Sequence, residues 1–312
     1  MNSLIICLNA IFPIFFIIAA GYAAKRAGIL RETEVPRMNA VAFKVFMPAM
    51  CLYNVYHSEL SAALRPKLFV FTFLGILLVF GAALLFAVKC VKDRSRRSVV
   101  AQGLYRSNYL IVGVPFVSGL VGEGNLGAAA VMGALVAPMF NVLAVILLES
   151  YNGTKTNKKK LLLNIAKNPL ILGSFAGLVL LLLGVTLPSP LEIAIRDMSR
   201  TASPLLLFLL GAFFHFGDAR QHWRELAAVT LGRLVVIPAV MLTLAVALGF
   251  RGSDLATLVA VFASSTAVAS FTMAEQMGGD AKLAGNIVVM TSACASFTLF
   301  AWSLVLKLLA LI

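Results

Sequence analysis

Residues 105–124 read YRSNYLIVGVPFVSGLVGEG, a run hydrophobic enough to enter a bilayer that still carries Arg106, Ser107 and Asn108, then Gly113 and Pro115 two residues apart. Proline lacks the amide hydrogen that the carbonyl of Ile111 would accept in a helix, and glycine removes the side chain that stiffens the same turn. The pattern predicts a membrane helix that unwinds between 108 and 115. Main-chain groups bared to hydrocarbon are costly, so such a break survives only where it is buried in protein or lines a wet cavity.

The surrounding chain is 312 residues long, 61% hydrophobic and 12% charged, with a mean hydropathy of +0.95. Those values exclude an ordinary soluble domain. A helix needs about 20 mostly apolar residues to cross the hydrocarbon core. Ten windows of that kind lie between polar breaks: 4–24, 38–57, 67–91, 98–121, 126–149, 168–187, 199–217, 226–249, 253–276 and 283–306. The longest connection, SYNGTKTNKKKLLLNIAKNP at 150–169, is too short and lysine-rich to fold alone. At the start, MNSLIICLNAIF has no basic residue before its apolar run while Lys25 and Arg26 follow it, the reverse of a cleaved signal.

The net charge of +13 does not point to nucleic acid, because of where the charge sits. Counted over alternate loops, seventeen Lys or Arg fall on one side and six on the other. This is the positive-inside asymmetry of a multi-pass protein beside anionic lipid, and it places both termini outside. Cys7, Cys51, Cys90 and Cys294 lack metal-ligand spacing and read as small buried hydrophobes. The chain has no Walker loop, HExxH, CxxC or intramembrane-protease GxGD, and GLVGEG precedes no ribose-binding acid. No enzyme activity, cofactor or metal is expected.

Glycine and proline positions repeat at an offset of 156 residues: Pro13 with Pro169, Gly21 with Gly177, Gly28 with Gly184, Pro48 with Pro204, Gly122 with Gly278. A duplicated unit then holds five spans, 1–155 and 156–312, and an odd number inverts the second copy in the membrane. The counterpart of the opening stretch is ASSTAVASFTMAEQMGGD at 263–280, which brings Ser264, Ser265, Thr266, Ser270 and Thr272 to membrane depth. Two broken spans related by inversion would cross with half-helix N-termini aimed at one point, an arrangement that favours an anion.

The order of KRAGIL (25–30), FMPA (46–49), SNYLIVGVPFVSGLVGEGNLG (107–127), KNPLILGSFAGLVL (167–180), SPLLLFLLGA (203–212) and FTMAEQMGGDAKLAG (271–285) resembles the auxin efflux carrier family over essentially the whole chain. That family includes plant auxin exporters and bacterial carriers linked to malonate and malate. The resemblance implies an all-α integral membrane fold of ten transmembrane helices in two inverted five-helix repeats, with broken crossing helices 4 and 9, related to bile-acid symporters and sodium/proton antiporters. It implies a scaffold of helices 1, 2, 6 and 7 (4–57 and 168–217), through which a homodimer could form. It also implies a transport part of helices 3–5 and 8–10 (67–149 and 226–306) moving as an elevator in a bacterial inner membrane. Asn108, Gly113 and Pro115 are the residues it carries over for helix 4. Helix 9 departs from the pattern, since no proline stands near Ser265; either hydroxyl side chains open it, or it is more continuous than in relatives.

Asn108 needs partners in hydrocarbon and either meets a carboxylate or bonds between helices. Ser264, Ser265 and Thr266 either bind ligand or bond back to their own carbonyls. Asn141 and Thr291 belong to the transport part by resemblance, as ligand contacts or as packing. Arg106 lies about 12 Å past the border at 1.5 Å per residue, so it attracts an anion or snorkels. Lys44 and Arg233 read as snorkelling, and His57, His215 and His222 as interfacial. Glu149 and Glu275 are the carboxylates near helix ends that could carry a proton.

Together these readings give a secondary carrier of small mono- or dicarboxylates working by alternating access, with proton or sodium coupling open. Importing a dianion against 100 mV costs about 4.6 kcal/mol, so uncoupled flux favours export. A sodium-coupled symporter of bile-acid type and a non-transporting receptor are the alternatives.

Overall fold

A computed structural model of the chain describes residues 2–57, 65–122, 126–151, 158–214 and 222–312. His215 and the lysine at 155 lie outside the described residues. The fold is all-helical among them: α1 (Asn2–Arg26), α2 (Val35–Tyr56), α3 (Pro66–Cys90), α4 (Arg94–Tyr105), α5 (Tyr109–Val121), α6 (Gly127–Tyr151), α7 (Lys158–Ala166), α8 (Pro169–Leu182), α9 (Ser189–Phe213), α10 (Trp223–Ala247), α11 (Gly252–Ala263), α12 (Ala269–Gln276) and α13 (Ala281–Leu308). Five of these, α2, α3, α6, α10 and α13, are long and apolar enough to cross a membrane. Exposed Phe, Leu and Val crowd the outward faces of α1, α3, α8, α10 and α13, as a hydrocarbon solvent requires. This is a multi-pass membrane protein.

Two hydropathy boundaries shift. The window 199–217 begins ten residues late, because α9 already starts at Ser189 with Pro190 in its first turn and Glu192 facing its amide end. The lysine-rich connection 150–169 is partly ordered: α7 packs on α6 and α8, and Asn164 Nδ2 donates to Glu149 at 3.0 Å.

Prolines shape the helices in a consistent way. Wide π turns occupy Ala42–Phe46, Tyr109–Gly113 and Gly232–Val236, and each is followed two residues later by Pro48, Pro115 or Pro238. The residue before each proline donates five residues back, to Ala42, Tyr109 or Gly232. Widening the turn relieves the clash between a proline ring and the carbonyl four residues earlier. At Pro238 that carbonyl, Leu234, is taken by Trp302 Nε1 at 3.0 Å.

The packing is symmetric in kind. α1 lies along α9, and α2 along α8. At the first contact a Cβ on Gly21 would stand 1.9 Å from the Phe208 oxygen, and one on Gly211 would stand 1.9 Å from the Ile18 oxygen. Only hydrogen fits between these backbones, the small-residue solution for helices that cannot rely on hydrophobic exclusion in lipid. Two glycine pairs at the 156-residue offset also share a left-handed backbone: Gly28 and Gly184 at φ 74° and 63°, Gly122 and Gly278 at 81° and 78°.

Three single-residue expectations change. Arg233 does not snorkel; it is fully buried. His222 is buried at the start of α10 rather than interfacial. Cys90 is exposed at the end of α3, while Cys51 is buried as expected.

Candidate functional site

The two interrupted helix pairs, α4–α5 and α11–α12, meet at their breaks. Ser107 and Thr266 form an antiparallel bridge, in which the Asn108 amide donates to the Ser265 carbonyl at 2.8 Å and the Ala267 amide donates to the Arg106 carbonyl at 3.2 Å. The second pair therefore breaks, at Ser264–Val268, without a proline. Main-chain groups freed by one break satisfy those freed by the other, which is what hydrocarbon demands.

The first break is not where Gly113 and Pro115 predict. The chain leaves helix at Arg106–Asn108 and is helical again from Tyr109, so residues 109–115 form a continuous rod with a π start. Pro115 stands seven residues into that rod, where the π turn at Tyr109–Gly113 makes room for its ring. Gly113 serves close approach instead: a Cβ there would lie 2.9 Å from that of Ala260 on α11.

Four helix ends converge. α4 and α11 arrive with their C-termini, and α5 and α12 leave with their N-termini. The C-terminal ends are held by one cation. Arg233 donates through Nε to the Ser264 carbonyl at 2.9 Å, through Nη2 to Val261 at 2.9 Å, and through Nη1 to Leu104 and Tyr105 at 3.3 Å each. A helix C-terminus carries about half a negative charge, so two of them balance about one guanidinium. No carboxylate lies within ion-pair distance of Arg233 among the described residues, and the carbonyls take that place.

The N-terminal ends of α5 and α12 open onto a cavity of about 80 Å³. Its inner wall is Arg106–Ile111 and Ala267–Ala269; its outer wall comes from α2, α6, α8 and α9, including Asn54, Asn141 and Ser174. Arg106, 3% exposed, donates to Asn141 Oδ1 at 2.6 Å and to Met273 Sδ at 2.6 Å, and Asn141 in turn donates to Cys51 Sγ at 3.2 Å. It does not snorkel. No carboxylate lines the cavity, and none pairs with Arg106 among the described residues. Asn108 is buried on the wall, and its Nδ2 finds no acceptor. A buried donor without a partner costs about 1–3 kcal/mol, which a bound acceptor would recover.

Of the nine residues singled out from sequence, the structure brings Arg106, Asn108 and Asn141 to this cavity. Gly113 and Pro115 lie along α5, and the other four stand behind the crossing. Ser264 and Ser265 contribute main-chain carbonyls. Thr266 Oγ1 donates to the Gly103 carbonyl at 2.8 Å, and its amide donates to Thr291 Oγ1 at 3.2 Å. Thr291 Oγ1 itself donates to Ile287 at 2.7 Å. Asn54 and Ser174 were missed; a polar side chain within an apolar span was the available signal for both. Glu149 and Glu275 lie off the cavity, and Glu275 accepts from Asn39 Nδ2 of α2 at 2.6 Å and from Gln276.

Comparison with known proteins gives a consistent set. A family described as "Membrane transport protein" matches residues 6–303. An "Uncharacterized transporter" of Methanocaldococcus jannaschii is 22% identical, over 96% of this chain and 98% of the relative. A second "Uncharacterized transporter", from Methanothermobacter thermautotrophicus, is 24% identical with the same coverage of each chain. A protein of Rhizobium meliloti named "Putative malonate transporter" is 26% identical over 90% of each chain.

Proposed function

We propose, from the premise that this chain belongs to the membrane transport protein family, that it is a secondary carrier of small organic anions, mono- or dicarboxylates of the malonate and malate kind. The observation that carries the reading is the unpartnered Asn108 Nδ2 beside Arg106, at the N-termini of two half-helices, in a cavity without a carboxylate. Each N-terminus offers about half a positive charge and first-turn amides without intrahelical acceptors. With the Arg106 guanidinium, the wall presents about two positive charges, because Arg233 already balances the opposite helix ends. A small dianion supplies the missing charge, and a monoanion supplies half of it. Asn108 donates to one carboxylate oxygen, the α5 and α12 amides hold the others, and Arg106, oriented by Asn141, sets the sign of the ligand.

The cycle is alternating access by an elevator. α1, α2, α8 and α9 form the scaffold, and α3–α6 with α10–α13 carry the ligand past it, in two inverted five-helix repeats. The shared left-handed glycines and the α1–α9 and α2–α8 pairings support that division. The protein sits in a bacterial inner membrane with both termini outside, and its scaffold face is available for a homodimer. Coupling to protons or sodium is needed for uptake, since a dianion moved inward against 100 mV costs about 4.6 kcal/mol.

The test is flux in proteoliposomes with labelled malonate, malate and indole acetate, with and without proton and sodium gradients. Saturable flux of at least one acid is expected, weakened about tenfold or more in apparent affinity by Asn108→Ala, the cost of one hydrogen bond to a charged group. Unaltered affinity in that variant removes the site; no flux with any acid removes the function.

A further inference from the structure

We propose that the cleft between α3 and α10 is a binding site for one acidic phospholipid, with its acyl chain along the cleft and its headgroup at Lys92 and Arg224. The two helices barely touch. Between them runs an apolar cleft of about 410 Å³, floored by the small residues Ala82, Ala83, Ala228 and Gly232 and walled by exposed Leu78, Phe86 and Val236. At Phe86 and Ala228 it continues into a second cleft of about 480 Å³, whose polar wall is Lys92, Asp93, Arg96, Arg224 and Glu225. One groove therefore runs from apolar to charged.

A void of this size facing hydrocarbon forfeits contact on both walls, and an acyl chain is the material at hand to fill it. The dimensions suit one leaflet. Leu78 to Phe86 is eight residue steps along α3, about 12 Å at 1.5 Å each, against about 15 Å for half of the hydrocarbon core. The charged end selects the headgroup. Arg96 is occupied by Asp280 at 3.1 Å, Glu225 at 3.7 Å and Asp93 at 3.8 Å. Lys92 and Arg224 are exposed and join no ion pair among the described residues, so they remain for a phosphate. They also lie on the basic side, where cytoplasmic acidic lipids would be.

The floor of the cleft adjoins the crossing. Leu104 lines it, and the neighbouring Gly232 would bring a Cβ to 2.5 Å from Leu104. Arg233, next in sequence, holds the Leu104 carbonyl. A chain in the cleft thus packs against the residues that carry this joint.

The experiment is native mass spectrometry of the delipidated full chain, titrated with palmitoyl-oleoyl phosphatidylglycerol or the matching phosphatidylcholine. One retained phosphatidylglycerol is expected, preferred at least tenfold over phosphatidylcholine. Lys92→Gln with Arg224→Gln, both at exposed positions, brings the preference to near parity. Ala82→Trp, which fills the cleft from an exposed position, removes the retained molecule while the helical circular dichroism is unchanged. Equal retention of the two lipids by the unaltered chain overturns the proposal. So does an undiminished preference in the charge variant, or displacement of the lipid by millimolar glycerol phosphate, which has the headgroup chemistry and no chain.

Discussion

Arg233 shows how a full charge is kept inside hydrocarbon without a carboxylate. Its five donors form a planar fork, and the carbonyls of two helix ends lie where that fork can reach them. Removing it leaves both C-terminal dipoles buried and unanswered, so Arg233→Met should destabilise by about 3–5 kcal/mol, the range for breaking a buried charge pair. Arg233→Lys keeps the charge but reaches fewer carbonyls; it should fold, with a lower midpoint in thermal unfolding in detergent. A midpoint for Arg233→Met equal to the unaltered chain would refute the role. Asn108→Asp is the complementary change at the cavity. It replaces a donor by a second anion in a wall built for one, and binding of a labelled acid should fall below detection, whereas Asn108→Ala only weakens it.

At the scale of the element, the breaks are held open by backbone, and much of this was legible. The apolar windows marked most of the long helices, whereas the hydroxyl-rich run at 263–272 left open whether its helix is interrupted; it is, at Ser264–Val268, without a proline. The exact position of the first break was not legible, because Pro115 is absorbed by a π turn inside a continuous helix while the interruption lies upstream at Arg106. A local reading cannot tell a proline that breaks a helix from one that a widened turn accommodates. Arg233 was missed for a related reason: its partners are carbonyls from segments 28 and 128 or 129 positions away, and no side-chain pattern announces a carbonyl. The glycine contacts between α1 and α9 make a direct prediction. Gly211→Val forces side-chain atoms into the Ile18 carbonyl and should cost about 1–3 kcal/mol, read as a lowered unfolding midpoint. At the N-terminal end of α4, Asp93 caps the helix by accepting from the Ser95 amide and hydroxyl, both at 2.9 Å. The Ser95 hydroxyl chiefly, with its amide, holds the carboxyl below its ordinary 3.8. A lowered folded-state pKa stabilises above the unfolded value and is lost as pH falls through the folded one. The cap should therefore be intact at pH 5 and above and weaken only below about pH 3.8, and hydrogen exchange at the start of α4 reads this directly.

For the whole molecule, the proposed cycle requires α12 to part from α2. Asn39 on α2 accepts from Thr272 Oγ1 at 2.8 Å and donates to Glu275 one turn on, so these bonds must open each time the ligand crosses. Joining Asn39→Cys to Thr272→Cys with mercuric ion, in a chain stripped of its native thiols, should stop flux and leave ligand binding measurable. Excess dithiol, which takes the mercuric ion by ligand exchange and returns both thiols, should restore flux; flux that continues while the join is intact excludes the elevator. The joint between the two breaks has a different consequence. Asn108 and Ser265, Ala267 and Arg106 are tied through main-chain atoms alone, so the identity of their side groups is no part of the knot. Descendants of one ancestral gene can exchange those groups, and with them the cargo, without reinventing the machine that moves it.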